Sequence, residues 1–183
     1  ARIFLWINGN YKRIPIKAGS DGHSFFSHQV SPNSIYSEIY HERTLVTPKF
    51  RGLVLDELKL HEVNVTSGVA SVLVDLTDRV RASFPTATAI YPRKGGAPSA
   101  DGSRYAWFVF GAEEEPIGAM SYDLSTDTIL GVLPGAEFPD AGRSVGIAMS
   151  LSGEYLVSMQ GEGAYVYDAD MTNGRLIYPG SGE

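Results

Sequence analysis

Apolar residues in this chain occur in short runs that are separated by turn-forming residues. The runs are rich in β-branched and aromatic residues and are bounded by Gly, Pro, Asp, Asn and Ser, which is typical of strands. The clearest runs cover residues 3–7, 35–40, 69–74, 105–110, 155–159 and 164–167. The best helical candidate is residues 54–62, but its apolar residues alternate at Leu58 and Leu60, so we interpret it as a strand with a short helix as the alternative. The pattern predicts an all-β protein.

One acidic motif recurs three times along this pattern. A short strand ends in an aspartate and a polar turn at Asp75, Asp123 and Asp168. These positions lie 48 residues (75 to 123) and 45 residues (123 to 168) apart. A repeat of roughly 40–50 residues that ends in a strand and an Asp-rich turn is typical of β-propeller blades.

A second repeat precedes each copy of the first. Ser31, Ser99 and Ser150 each open a tight turn of Asn, Asp, Gly or Ser residues, and a Tyr opens the strand that follows. Gly and Asn tolerate positive φ, while Asp and Ser side chains bond the turn backbone. The Ser turn and the Asp motif are 44 residues apart in the first unit (31 to 75), but 24 (99 to 123) and 18 (150 to 168) in the others. The first unit is therefore predicted to carry an insertion within residues 42–64.

Together the two repeats resemble the blades of WD-type and YVTN-type propeller families. In those families a Ser-Pro-Asp-Gly turn is followed by strands and by an Asp-x-x-Thr-Gly segment, and residues 168–174 (DADMTNG) and 123–128 match this last part. The His/Trp-Asp dipeptides of the strict WD class are absent. The resemblance covers residues 31–178 and implies blades of four-stranded antiparallel sheets.

The resemblance also implies an order of blades along the chain. Residues 1–18 are predicted to be the outer strand of a preceding blade, 19–85 a blade with an insertion, and 86–136 and 137–183 two further blades. Propellers close with roughly four to eight blades. About three blades plus an outer strand leave the ring incomplete, so we expect the remaining blades or another chain to complete it.

Composition excludes several classes of function. The chain has 183 residues, of which 43% are hydrophobic and 20% charged, as in globular domains. A net charge of −6 and the lack of a Lys/Arg-rich run argue against a nucleic-acid partner, and no apolar run is long enough to predict a membrane span. With no cysteine, thiol catalysis and thiolate metal sites are excluded, and no cofactor or metal site is predicted. The acidic, Cys-free composition and the resemblance favour an extracellular or periplasmic location.

Candidate site residues precede the predicted innermost strands. Segments that lead into these strands line one mouth of the central channel, where propellers usually bind ligands. Counting eight residues back from the Ser turns gives His23, Tyr91 and the neighbour of Arg143. Three further residues complete the set of ligand-binding candidates: Arg93, His28 and His41. Arg would bind a carboxylate, and His23 or Tyr91 would move a proton. The alternative is that the histidines bond turn backbone groups and Tyr91 packs between blades.

Three functions fit these observations. The first is a binding scaffold that holds an acidic carbohydrate or a protein partner at the channel mouth. The second is a propeller polysaccharide lyase, since such lyases use His, Tyr and Arg to abstract the proton beside a uronate carboxylate; the similarity is one of residue type and blade position. The third is a self-assembling structural subunit. The Asp-rich turns are similar to calcium loops in composition but lack the EF-hand placement of Glu and Gly, so they are interpreted as turn caps.

Overall fold

The computed structural model describes most of the chain as strands. The described residues are 2–7, 10–15, 23–31, 33–40, 42–46, 51–55, 59–67, 69–85, 96–110, 116–135, 145–150, 155–159 and 163–179. They form sixteen strands and one helix. Three four-stranded antiparallel sheets contain twelve of the strands, and two hairpins contain the other four.

Each four-stranded sheet is an antiparallel meander. The first sheet consists of β3 (His23–Ser31), β4 (Ser34–Tyr40), β7 (Lys59–Asn64) and β8 (Ala70–Asp75), in that spatial order. The second consists of β9 (Ala97–Pro98), β10 (Arg104–Phe110), β11 (Pro116–Asp123) and β12 (Thr128–Pro134). The third consists of β13 (Val145–Met149), β14 (Tyr155–Met159), β15 (Gly163–Tyr167) and β16 (Arg175–Tyr178).

The first strands of the three sheets lie next to one another. β9 contacts both β3 and β13, and β13 also contacts β10. Successive four-stranded meanders that meet along their first strands are the blades of a β-propeller. The prediction of an all-β fold built from four-stranded antiparallel blades is confirmed.

The remaining strands form two hairpins. β1 (Arg2–Ile7) pairs with β2 (Asn10–Pro15), and β5 (Glu42–Val46) pairs with β6 (Arg51–Leu55). The β5–β6 hairpin lies in the chain between β4 and β7, within the residues for which the sequence predicts an insertion. The segment interpreted as one strand over residues 54–62 contains the end of β6 and the start of β7, and residues 56–58 lie outside the described part of the chain.

The two sequence repeats occupy different places in the first sheet. The Ser turns separate the first and second strands of all three sheets, as predicted. Asp123 ends the third strand of its sheet and Asp168 directly follows the third strand of its own, but Asp75 ends the fourth strand of the first sheet. The residue of the first sheet that matches Asp123 is Asn64, which ends β7 and caps the turn into β8. The equivalence of Asp75 with the other two aspartates was therefore wrong, because the same strand-Asp-turn pattern also fits the end of an outer strand.

A β-bulge recurs in the fourth strand of every sheet. The register skips Leu73 in β8, since Leu60 pairs with Val74 and His61 with Val72. It likewise skips residue 130 in β12 and residue 177 in β16. Each bulge therefore places one extra aliphatic residue in the outermost strand.

Helix α1 (Thr77–Ser83) connects the first sheet to the second. Leu76, Val80 and Phe84 follow one another at helical spacing and are buried, at 0%, 0% and 8% exposure. The N-cap residue Leu76 has no capping side chain, and the Asp75 carboxylate before it accepts a hydrogen bond from the Thr77 amide in the first turn. The sequence pattern did not predict this helix.

Candidate functional site

The predicted mouth residues lie mostly outside the described part of the chain. Tyr91, Arg93, Arg143 and His41 are not among the described residues. His23 is the first residue of β3, and the backbone of His28 lies within the same strand. The described strands β3, β9 and β13 lie side by side. The mouth site itself stays a prediction.

The Ser turn of the second sheet is closed by its own side chains. The Ser99 hydroxyl donates to Asp101 over 2.6 Å, and the Ser103 amide and hydroxyl donate to the same carboxylate over 3.0 and 2.8 Å. The Arg104 amide donates to the Ser99 hydroxyl oxygen over 2.9 Å, and Gly102 takes a φ of 73°, which favours glycine. The hydrogen bond from Ser99, followed by those from Ser103, lowers the pKa of Asp101 to about 2. This carboxylate therefore stays ionised, and it accepts the hydrogen bonds that close the turn.

The turns between the third and fourth strands use the same chemistry. Asp123 accepts from the amide and hydroxyl of Ser125, and these hydrogen bonds, the hydroxyl's first, lower its pKa. Asp170 accepts from the amide and hydroxyl of Thr172, which lowers its pKa in the same way. In the first sheet Asn64 accepts from the amides of residues 66 and 67. The observed bonding agrees with the interpretation of these residues as turn caps.

The described residues contain no group of three or more His, Asp or Glu side chains placed to hold a metal ion. His61 on β7 is partly buried, and its Nδ1 atom is enclosed without a hydrogen-bond partner. Burial lowers the pKa of His61, so its imidazole is neutral at neutral pH.

The first junction, between the first and second sheets, is filled by large side chains. Tyr105, Trp107, Met120 and Tyr122 of the second sheet are at most 2% exposed and pack against the first sheet and α1. The Tyr36 hydroxyl of β4 donates to the Gly102 carbonyl in the Ser turn over 2.9 Å. Burial, and then the charges of the nearby Glu62 and Asp101, raise the pKa of Tyr36. The first junction therefore combines buried aromatic rings with a hydrogen bond to the backbone of the Ser turn.

An ion pair carried by α1 also crosses the first junction. Arg79 donates from both terminal nitrogens to Asp127, over 3.0 Å to Oδ1 and 2.9 Å to Oδ2. The central guanidinium carbon lies 4.9 Å from the centroid of the Tyr122 ring, and the Tyr122 hydroxyl donates to the same carboxylate. Asp127 has a φ of 58°, in the left-handed region. Because the partners are 48 residues apart in the sequence, no local pattern could have revealed the pair, although the helical spacing of Leu76, Val80 and Phe84 indicates the helix that carries it.

The second junction, between the second and third sheets, has small side chains where the backbone of the third sheet comes close. Ala106, Ala119 and Ser121 present small, fully buried side chains to the third sheet, where Tyr167 and Met171 are also buried. The Ser121 hydroxyl donates to the Ala169 carbonyl over 2.6 Å. A Cβ atom added to Gly131 would overlap the backbone of Asp170, so this approach requires glycine. Both junctions therefore fix neighbouring blades through buried contacts.

The chain is similar in structure to several proteins of known structure. No protein-family model and no curated protein matches this chain. The chain is similar to the β-propeller domain of the Trilobed protease from Pyrococcus furiosus, with a TM-score of 0.44 and 10% identity over 85% of this chain and 43% of that one. It is similar to a protein of unknown function from Bacteroides thetaiotaomicron (TM-score 0.49, 11% identity, 96% of this chain, 43% of that one) and to TolB from Acinetobacter baumannii (TM-score 0.42, 12% identity, 84% and 40%). The chain thus spans less than half the length of each of these three proteins.

In the part of the chain that the structure describes, no helix combines the length and apolar character that a membrane crossing requires.

Proposed function

We propose that this chain acts as a propeller-type binding scaffold, with its ligand held at the mouth formed by the segments that lead into β3, β9 and β13. The observation that supports this most is the contact of β9 with both neighbouring first strands. In the proposed arrangement, the three segments that lead into these strands meet at one mouth. A rigid set of blades with convergent entering segments is the arrangement by which loop residues are positioned for binding.

The use of the turn carboxylates supports the same proposal. Asp101, Asp123 and Asp170 each accept several hydrogen bonds from their own turns, so their oxygens are committed to local structure. A general acid or base needs a free site and a pKa near the working pH, and the lowered pKa values of these groups oppose that role. These three carboxylates therefore favour a structural role for the turns that carry them.

We propose an anionic ligand, an acidic carbohydrate, for the mouth, with a carboxylate-bearing protein segment as the alternative partner. Arg93 and Arg143 precede β9 and β13 in the chain and would bind carboxylates bidentately. His23 begins β3 and would supply a hydrogen bond to a sugar hydroxyl. Such ligands occur outside the cytoplasm, which fits the proposed extracellular or periplasmic location.

Calorimetric titration with oligogalacturonate, and with its neutral methyl ester as a comparison, tests the proposal. We expect binding of the acidic form alone, and at least about tenfold weaker binding in Arg143→Ala, since a charge-assisted hydrogen bond contributes about 1.5–3 kcal/mol. Arg175→Ala is the matched control, because Arg175 lies exposed on β16 and its substitution removes the same charge at a different place. Equal affinity for both oligosaccharides, or equal losses in the two variants, would contradict the mouth site.

The same samples separate a scaffold from a lyase. Ultraviolet absorbance of an unsaturated uronate reports β-elimination during incubation with the acidic oligosaccharide. Binding without a rise in absorbance supports the scaffold. A rise that disappears in His23→Ala and Tyr91→Phe would replace the scaffold by a lyase.

A further inference from the structure

Helix α1 contacts the first junction through an apolar side and a polar side. Its apolar side inserts Leu76, Val80 and Phe84 into the core between the sheets. Its polar side reaches the second sheet through Arg79, which contacts Asp127. Removal of the ion pair would leave the apolar side seated, but the helix would then be held along one side alone.

The Arg79–Asp127 contact is built more closely than an ordinary surface pair. It is bidentate, its guanidinium lies over the buried Tyr122 ring, and the Tyr122 hydroxyl fixes the orientation of the carboxylate. In the neighbouring pair on the same helix, Arg81 lies 4.0 Å from Asp78, and the two side chains are 52% and 100% exposed. Arg79 and Asp127 are 33% and 68% exposed, so solvent and salt still reach them.

The two junctions differ in whether a described ion pair crosses them. Among the described residues, the ion pairs are Lys59–Asp75, Arg79–Asp127, Arg81–Asp78 and Arg104–Asp123, and the second of these joins α1 to another element across the first junction. No described ion pair crosses the second junction, where a neutral hydroxyl, a glycine and an apolar cluster make the contact. For the described contacts, ionic strength is therefore expected to act on the first junction more than on the second.

We propose that α1 is an electrostatic clasp, which the Arg79–Asp127 pair closes at low ionic strength and which salt loosens. The Debye length falls from about 30 Å at 0.01 M salt to about 3 Å at 1 M, comparable to the length of the ion pair itself. Screening frees the polar side of α1, and the first sheet is then held by the apolar core and the Tyr36 hydrogen bond, which allow it a small shift against the second sheet. The second and third sheets stay fixed to each other.

This movement has a consequence for binding, and that consequence rests on the proposed function. β3 belongs to the sheet that is freed, whereas β9 and β13 belong to the pair that stays fixed. Loosening the clasp would change the spacing of β3 from β9 at the mouth. Salt would then weaken ligand binding both by screening the ligand and by altering the site.

Hydrogen exchange measured by mass spectrometry tests the clasp without any ligand, so its result is independent of the mouth site. The full chain is compared in about 0.02 M and about 1 M NaCl. Exchange of the α1 amides, including those of Val80 and Phe84, is expected to accelerate roughly two- to fivefold, the range for an ion pair that is partly exposed. The amides of Asp168 and Met171 at the second junction provide the internal reference and are expected to keep their rates.

Two variants assign the effect to the ion pair. Asp127→Asn keeps the left-handed backbone and the acceptor for Tyr122 but removes the charge, so α1 should exchange fast at both salt concentrations. Asp78→Asn removes the partner of Arg81 on the same helix and should keep the salt response of the natural chain. Should Asp127→Asn fail to fold, Arg79→Gln removes the charge from the other side. The clasp is excluded if α1 exchange ignores salt in the natural chain, if both junctions respond equally, or if the response survives loss of the Asp127 or Arg79 charge.

Discussion

The two faces of the second sheet pack against their neighbouring sheets in different ways. Towards the first sheet, β10 and β11 present Tyr105, Trp107, Met120 and Tyr122, and α1 fills the space that these large side chains leave. Towards the third sheet, Phe108 and Leu133 are buried beside the small residues Ala106 and Ala119, and at Gly131 the backbone of the next blade approaches directly. The first junction therefore depends on large side chains and α1, whereas the second also needs small residues where the blades approach most closely, and substitutions can separate the two.

The largest effect is expected where volume is removed from the first junction. Phe84→Ala deletes a buried ring that packs against Gly118 and should lower the free energy of unfolding by about 3–4 kcal/mol. Phe84→Leu, which retains most of the volume, should cost about 1 kcal/mol. Urea titration followed by fluorescence measures both. A loss for Phe84→Ala no larger than that for Phe84→Leu would show that α1 is not part of the core.

The opposite substitution should damage the second junction. Gly131→Ala places a methyl group against the Asp170 backbone, which cannot move aside as a flexible side chain can, and should cost about 2–3 kcal/mol. Gly146→Ala is the matched control, because an added Cβ there meets nothing within 4 Å, and it should be neutral. Equal unfolding midpoints for the two variants would contradict the close backbone approach at this junction.

A smaller effect is expected from the polar contacts that cross each junction. Ser121→Ala removes the donor to the Ala169 carbonyl at the second junction, and Tyr36→Phe removes the donor to the Gly102 carbonyl at the first. Each should cost about 1 kcal/mol, the usual net value of one hydrogen bond. Because the junctions share no polar partners, the double variant should show the sum of the two losses within about 0.5 kcal/mol. A large deviation from additivity would mean that the two junctions are coupled through the second sheet.

The smallest effect at neutral pH is expected at Asp101, and it appears in acid. The folded pKa of about 2 lies below the ordinary value near 3.9, so the stabilisation is complete above about pH 4 and disappears as the pH falls through about 2. Asp101→Asn keeps an acceptor oxygen but cannot titrate, so its unfolding midpoint should fall less steeply between about pH 4 and pH 2. Parallel acid titrations of the natural chain and the variant make the comparison, and identical slopes would show that this turn does not contribute.

The sequence predicted the parts of the fold that depend on local chemistry. The strand runs and the Ser turns need alternating apolar residues and residues that bond a turn backbone, and both patterns are visible at short range. Helix α1 escaped prediction because a helix of seven residues is marginal by itself and is stabilised by packing between two sheets. Asp75 was misassigned because an aspartate after a short strand fits two different corners of a blade. The mouth residues are a hypothesis based on spacing, and Arg79 with Asp127 could be found only in three dimensions.

The bulges in the fourth strands have a consequence for how these molecules meet one another. Among the side chains whose exposure the structure describes, the exposed large apolar ones lie on β8, β12 and β16 or at Val69 just before β8. Outer strands of this composition would normally recruit a strand from a neighbouring molecule and start fibril growth. Each bulge interrupts the regular spacing of backbone donors and acceptors at Leu73 and its two counterparts. An incoming straight strand finds no continuous register there, so the outer edges can carry apolar side chains without nucleating a fibril.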